Sequence, residues 1–176
     1  MKRNLITTPN LKLVTLVCFL VLSIVTFSQN SIYIGTTSYQ ATDSWRFTVK
    51  NNFSLEKTYV TIAKKGTGGL IMLTIPTSTE GKIKGDIIIY LEDGNAIKCL
   101  DRNIRDQLNN EIMAVYYLSQ ADIQKMSNSD ILNIRFTLSH YPYEDKNYLT
   151  ENSYTTLFEK YKSYKHTTAQ EISNLF

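Results

Sequence analysis

The sequence predicts a β-rich α+β fold, mainly antiparallel sheet or a β-sandwich, with one short inserted helix and a C-terminal helical tail. Three observations predict it. Apolar and polar residues alternate with period two through the middle of the chain, Asp93-Gly94 separates two strand-like runs, and helical spacing is confined to a capped turn near Ser119 and to the C-terminal stretch.

The chain opens on a leader. Lys2, Arg3 and Lys12 precede an apolar run from Leu13 to Phe27, and Thr26 and Ser28 place small residues where a signal peptidase cuts. Residues 1–28 therefore read as a signal peptide. The run has 15 residues, against the roughly 20 of a spanning helix, so the membrane is a partner only if this segment is left uncleaved. Cys18 lies in mid-run, where a lipid-attachment cysteine does not. The leader holds three of the 19 basic residues and none of the 16 acidic ones, which leaves a formally neutral mature chain. The basic pI thus gives no ground for a nucleic-acid partner. Cys99 becomes the only cysteine, so no internal disulfide can form. About 148 of the 176 residues remain, enough for one domain: a β-rich body over 29–138, then a connecting loop and helical tail over 139–176, packed on or extending from it.

Within the body, Trp45, Phe47 and Val49 alternate with Arg46, Thr48 and Lys50, and Val60 and Ile62 alternate with Thr61 and the neighbouring Lys64. Leu70 to Ile75 is a continuous apolar run bounded by Gly68-Gly69 and Pro76, too tightly for a helix. Ile83, Ile87, Ile89 and Leu91 share one side of a strand. The other side begins polar at Lys82, Lys84 and Asp86 and turns apolar at Ile88 and Tyr90, which predicts cover on both faces there. Asp93-Gly94 tolerates the positive φ of a tight hairpin, and Lys64 to Gly69 reads as a looser one. Ile112 to Leu118 is another strand. Ser119 with Asp122 caps a short helix, and Leu132, Ile134, Phe136 and Leu138 alternate with Asn133, Arg135 and Thr137. Ser139 to Asn152, with Pro142, charges and turn formers, reads as the connection. Tyr154, Leu157, Phe158, Tyr161 and Tyr164 fall at helical spacing from about Ser153, and Thr168 with Glu171 suggests a second capping box before Ile172 and Phe176.

Catalytic signatures are absent from the sequence. Cys99 lies in a strand-like stretch beside Ile97, the position of a small buried residue and not of an activated thiolate. His140 and His166 belong to no zinc motif, and Asp86, Glu92, Asp93, Asp101 and Asp106 lack calcium-loop spacing. The lysines of KKGTGG precede its glycines, the reverse of a phosphate loop, and no G-x-S-x-G occurs. No catalytic residue, metal ligand or cofactor is assigned. Carboxylate pairs of the glycosidase type leave no sequence spacing to recognise. Tyrosine is abundant, at 12 residues, and Tyr141, Tyr143 and Tyr148 lie outside clear strands beside Pro142 and charges, so they are the aromatics expected at the surface as a ligand or partner site. Tyr154, Leu157, Phe158 and Tyr161 form the expected docking face of the tail helix.

IIIYLEDGNAIKCLDR followed by YYLSQADIQKMSNSDILNIRF, together with a leader ending in Thr-Phe-Ser-Gln-Asn, resembles small uncharacterised exported proteins of Bacteroidetes-type bacteria. The resemblance covers about residues 82–138 and brings a D-G hairpin, a capped helical turn and an I-R-F strand. No named activity comes with it. The residues point to a non-catalytic binding or accessory module of the cell envelope, in the periplasm, at the cell surface or outside, with a protein or surface polymer as partner. The alternatives are an assembly component docking through its C-terminal helix and a small carboxylate-dependent hydrolase of envelope polymers.

Overall fold

The computed structural model describes residues 30–49, 57–76, 81–140, 145–155 and 163–176, so the expected leader lies outside it. A hairpin comes first, β1 (Asn30–Ile34) and β2 (Thr37–Ala41), turning at Gly35 with φ +59°. The predicted alternations then become β3 (Trp45–Val49), β4 (Lys57–Lys65), β5 (Gly68–Pro76), β6 (Gly81–Leu91) and β7 (Ala96–Cys99). After β8 (Ile104–Leu108) and β9 (Glu111–Leu118), helix α1 (Gln120–Asn128) leads into β10 (Ile131–His140) and β11 (Asp145–Glu151). A short pair, β12 (Tyr154–Thr155) and β13 (Ser163–Tyr164), precedes the terminal helix α2 (Thr168–Leu175).

These elements form an 11-stranded antiparallel sheet in the order β7-β6-β10-β11-β3-β4-β5-β9-β8, with β2 joining β4 and β1 pairing β2. The β-rich class with one inserted and one terminal helix is what the alternation and the Ser119 cap predict. The inward side chains of every strand from β3 to β7, and of β9 to β11, meet in one core that includes Phe47, Ile62, Leu73, Ile89, Tyr116, Ile134 and Phe136. Ile123 and Met126 of α1 and Ile172 of α2 close one end of it. Gly69 permits that closure, because a Cβ there would meet Ile123 Cδ1 at 2.8 Å.

One sheet serves both sides of a core only if it curls, and β6 supplies the bend. Its register with β10 shifts between Arg135↔Ile88 and Thr137↔Lys84, a bulge containing Gly85 at φ +71°. Bulges sharpen the local twist. They also leave backbone groups unpaired, and here side chains from the far margin satisfy them. Tyr116 Oη donates to Gly85 O at 3.1 Å, Gly85 N donates to Asp101 Oδ2 at 3.0 Å, and Arg105 Nε donates to Ile83 O while its guanidinium pairs with Asp101. The two margins are thus fastened by a polar side-chain seam.

Several elements differ from the sequence expectation. Lys64 to Gly69 is a tight hairpin, since Lys65 pairs with Gly68 and Gly66, at φ +60°, is the first of two turn residues. Within the stretch read as a connection, Asp145–Glu151 is a strand in register with β10. The helix expected from Ser153 to Tyr164 is not formed at its described ends: Tyr154 and Tyr164 face each other across the β12–β13 pair. Aromatic rings at intervals of three or four suit a helix, yet tyrosine is also a strong strand former, and a cross-strand contact decided the outcome. The ring of Tyr154 lies 5.6 Å from that of Tyr164 and 4.5 Å from His166.

The Ser119–Asp122 capping box forms, with Asp122 N donating to Ser119 Oγ and Ser119 N to Asp122 Oδ2. The Thr168–Glu171 box does not. Thr168 is buried and its hydroxyl accepts from Ile131 N at 2.8 Å, while Asp130 takes over the capping by accepting from Ala169 N at 2.7 Å.

Candidate functional site

Among the described residues the interior offers no site. Cys99 is buried in the core, and burial, with smaller effects from Asp122 and Asp86, pushes its thiol up to about 12, so no thiolate is available near neutral pH. His166 is held below its usual range chiefly by burial, against an opposing hydrogen bond to Arg46 O. Its ring is stacked between Tyr154 and Phe47, and Asn152 fixes its backbone by accepting from His166 N and donating to His166 O, both at 2.9 Å. This histidine is packing.

Four of the five acidic residues weighed for calcium are engaged with other groups. Asp86 accepts from Asp101 N at 2.8 Å and pairs with Lys98 at 3.0 Å. Glu92 pairs with Lys165 at 2.5 Å, and Asp93 accepts from Asn95 N at 2.9 Å. Burial alone would raise the Asp101 carboxyl, but hydrogen bonds from Asn103 N and Gly85 N and the Arg105 guanidinium outweigh it and hold the group below its usual value. Among the described residues no three His, Cys, Asp or Glu side chains come together as a metal site.

Two surface depressions are lined by described residues. One, of about 490 Å³, lies at the helical end between the β4–β5 turn and the two helices, lined by Lys64, Thr67, Gln120, Gln124 and Phe176 among others. Lys64 Nζ there donates to the carbonyls of Leu175 and Phe176, at 3.1 and 3.3 Å. Its cation is already used in holding the end of α2.

The other depression, of about 420 Å³, lies on the outer face of β6, β10 and β11 and is lined by Tyr90, Asn133, Arg135, Asn147, Tyr148 and Leu149. The register explains why these residues meet. Asn133 stands opposite Tyr90, and Arg135 stands between Ile88 on β6 and Leu149 on β11. Sequence predicted that Ile88 and Tyr90 would be covered on both faces. Instead this outer face carries no second layer among the described residues, and both side chains are half-buried. Arg135 is exposed, and its guanidinium has neither an ion-pair nor a hydrogen-bond partner among the described residues. Lys84, Lys98, Arg105 and Lys165 are ion-paired, whereas Arg102, Lys125 and Lys146 share with Arg135 the lack of an ion-pair partner among the described residues. Thr137 Oγ1 donates to Asn147 Oδ1 at 2.8 Å, which occupies the amide oxygen and leaves its NH2 as a donor.

No family model, curated protein or solved structure matches this chain. The site therefore rests on its geometry.

Of the residues expected to form a surface site, Tyr141 and Tyr143 lie outside the described residues. Tyr148 is described and is not exposed: it is buried, its ring 5.7 Å from Phe136 in the core, and it borders the depression only through its place in β11. The correction has a simple cause, since Tyr148 pairs with Phe136 and so shares its inward face. Tyr154 lies in β12 rather than on a helix face, and Leu157, Phe158 and Tyr161 fall outside the described residues. The residues that sequence reasoning passed over are Tyr90, Arg135, Asn147 and Leu149. The signal for the first two was present, in the apolar turn of the outer side of β6 and the outward phase of Arg135.

Proposed function

We propose that the protein is an exported, non-catalytic binding module of the cell envelope, and that it engages its partner through the outer face of β6, β10 and β11. The observation that carries this reading is Arg135, a guanidinium without a partner among the described residues, standing between Ile88 and Leu149 on a half-apolar face that no other described element covers. Uncovered apolar area beside a planar cation is the composition of recognition surfaces, where aromatic residues and arginine are enriched. Two further facts favour binding over hydrolysis. The core is filled with apolar side chains, and neither depression is lined by an acidic side chain that could serve as general acid or nucleophile.

The test is co-sedimentation of the purified mature chain with a cell-envelope fraction from the organism that makes it. The wild type pellets with the envelope, and Tyr90→Ala/Arg135→Ala loses at least tenfold in association with an unchanged thermal midpoint. Undiminished association of that double variant would refute the assigned face. Turnover of any envelope polymer, abolished by one point mutation, would refute the non-catalytic reading.

A further inference from the structure

We infer that the β1–β2 hairpin is a strap: it swings open as a unit about residues 42–44 while the curled sheet beneath it stays folded, and so uncovers a second apolar face. This strap lies on the outer face of β4, β5 and β9, apart from the binding face proposed above.

The hairpin is complete in itself and joined to the sheet only at its root. β1 pairs with β2 along its whole length, from Asn30↔Ala41 to Ile34↔Thr37. Among the described residues β1 has no other strand neighbour, and β2 meets the body at one pair, Ala41↔Ala63. Beside that pair Thr42 N donates to Ile62 O at 2.9 Å and Ile62 N donates to Thr42 Oγ1 at 3.1 Å. The strands beneath are held differently. β4 and β5 stay in register from Tyr59↔Thr74 to Lys65↔Gly68, and β5 and β9 from Gly69↔Leu118 to Pro76↔Glu111. Opening the hairpin costs the hydrogen bonds at its root and leaves both ladders whole.

Side-chain burial is equally thin. Ala41 is the one fully buried apolar residue of the hairpin, while Ile32, Ile34 and Tyr39 are half-buried against Ala63, Leu70 and Val115. The other fastening is Lys65, whose ammonium donates to Tyr117 Oη at 2.9 Å and lies 5.9 Å from the ring of Tyr39, an exposed contact of the weak kind. A two-stranded hairpin has little stability alone, so it stays closed only through these contacts. Segments with few buried apolar contacts open well before the whole domain unfolds. The pivot is built for it. Thr42, Asp43 and Ser44 separate β2 from β3, Asp43 and Ser44 are exposed, and Trp45, which follows at once, is anchored in the core. Asn30 donates to Asp43, so the first residue of the hairpin is tied to the pivot and not to the sheet. In the open form Ala63, Leu70 and Val115 are bared beside Met72 and Ile104.

The deciding experiment is native-state hydrogen exchange of the mature chain, read by mass spectrometry at rising sub-denaturing urea. Amides of β1 and β2 exchange at least about a hundredfold faster than those of β5 and β9 and respond little to urea, because their opening exposes little surface. Lys65→Ala speeds exchange severalfold in β1 and β2 and leaves β5 and β9 unchanged. A thiol gives a second reading. Val115→Cys, close in volume and buried under the hairpin, is modified by a thiol reagent at least about a hundredfold faster than Cys99, the buried core thiol of the same chain. Hairpin exchange at the rate and urea dependence of β5 and β9, or equal modification of the two thiols, would show that the hairpin opens only when the whole domain unfolds and would overturn the strap. Exchange of β1 and β2 at the rate of an unstructured peptide would overturn it from the other side, because the hairpin would then not be docked at all.

Discussion

The outer surface of the curled sheet has two faces of similar strand content and opposite treatment. Over β4, β5 and β9 the β1–β2 hairpin folds against the outer face, and Ala63, Leu70 and Val115 are buried with its Ala41, while Ile32, Ile34 and Tyr39 of the hairpin pack against them. Over β6, β10 and β11 nothing described lies on top of Ile88, Tyr90 and Leu149. The treatment of the cations matches. Lys65, on the covered side, donates to Tyr117 Oη at 2.9 Å and stands 4.3 and 5.9 Å from the rings of Tyr117 and Tyr39, so it fastens the hairpin. Arg135, on the bare side, has no such partner among the described residues. Among the described residues one apolar outer face is covered by the chain's own strands and the other is not, and this difference, more than any single residue, is what supports placing the proposed binding surface on the latter.

The difference can be tested first through stability. Leu70→Ala, beneath the hairpin, is expected to cost about 2–5 kcal/mol in urea unfolding, the range for deleting a buried leucine. Leu149→Ala, half-buried on the bare face, is expected to cost less than about 1 kcal/mol while weakening envelope association. Equal losses would mean that the bare face is covered in solution.

Asp101→Ala next probes the seam that anchors β6, the strand carrying Tyr90. Loss of charged hydrogen bonds to Gly85 N and Arg105 is expected to cost about 2 kcal/mol at neutral pH. The pH dependence has a definite sign. A carboxyl held below its ordinary value of 3.8 contributes stability that is complete above that value and is lost as pH falls through the folded-state value, so wild type and variant converge only in acid. His166, also lowered, from 6.5, makes the native state lose stability as pH falls below 6.5. A His166→Phe variant should flatten the stability profile near that pH and leave the acid limb due to Asp101 in place, and both are read by thermal melts across pH.

The smallest expected effect compares the two cations. Lys65→Ala should cost about 0.5–1 kcal/mol, the worth of an exposed cation–π contact, whereas Arg135→Ala should leave stability unchanged. A measurable loss at Arg135 would show that it has a structural partner.

Much of the fold was legible because alternation reports directly on which face of a strand is buried. Trp45, Phe47, Ile87, Ile89, Ile134 and Phe136 all lie inside as their spacing requires. The elements that escaped notice carry weak patterns for physical reasons. The strand Asp145–Glu151 buries only Tyr148 and Thr150, one of them polar, so it resembles a loop. The hairpin at Asn109-Asn110 needs positive φ at both turn residues, 51° and 64°, which asparagine tolerates, but the short strand before it ends in exposed residues. At the site, the outward phase of Arg135 could be read from sequence. That it stands between Ile88 and Leu149 could not, because strand order and register are set by pairings across long stretches of chain. The burial of Tyr148 was missed for the same reason.

Hydroxyl-radical footprinting with and without a soluble envelope fraction tests the contrast between the two faces most directly, because it reads side-chain exposure residue by residue. The account predicts protection of Tyr90, Ile88 and Leu149, while Tyr33 and Tyr117, 72% and 44% exposed on the hairpin side, stay reactive. Protection of Tyr33 and Tyr117 with Tyr90 and Leu149 unchanged would contradict it.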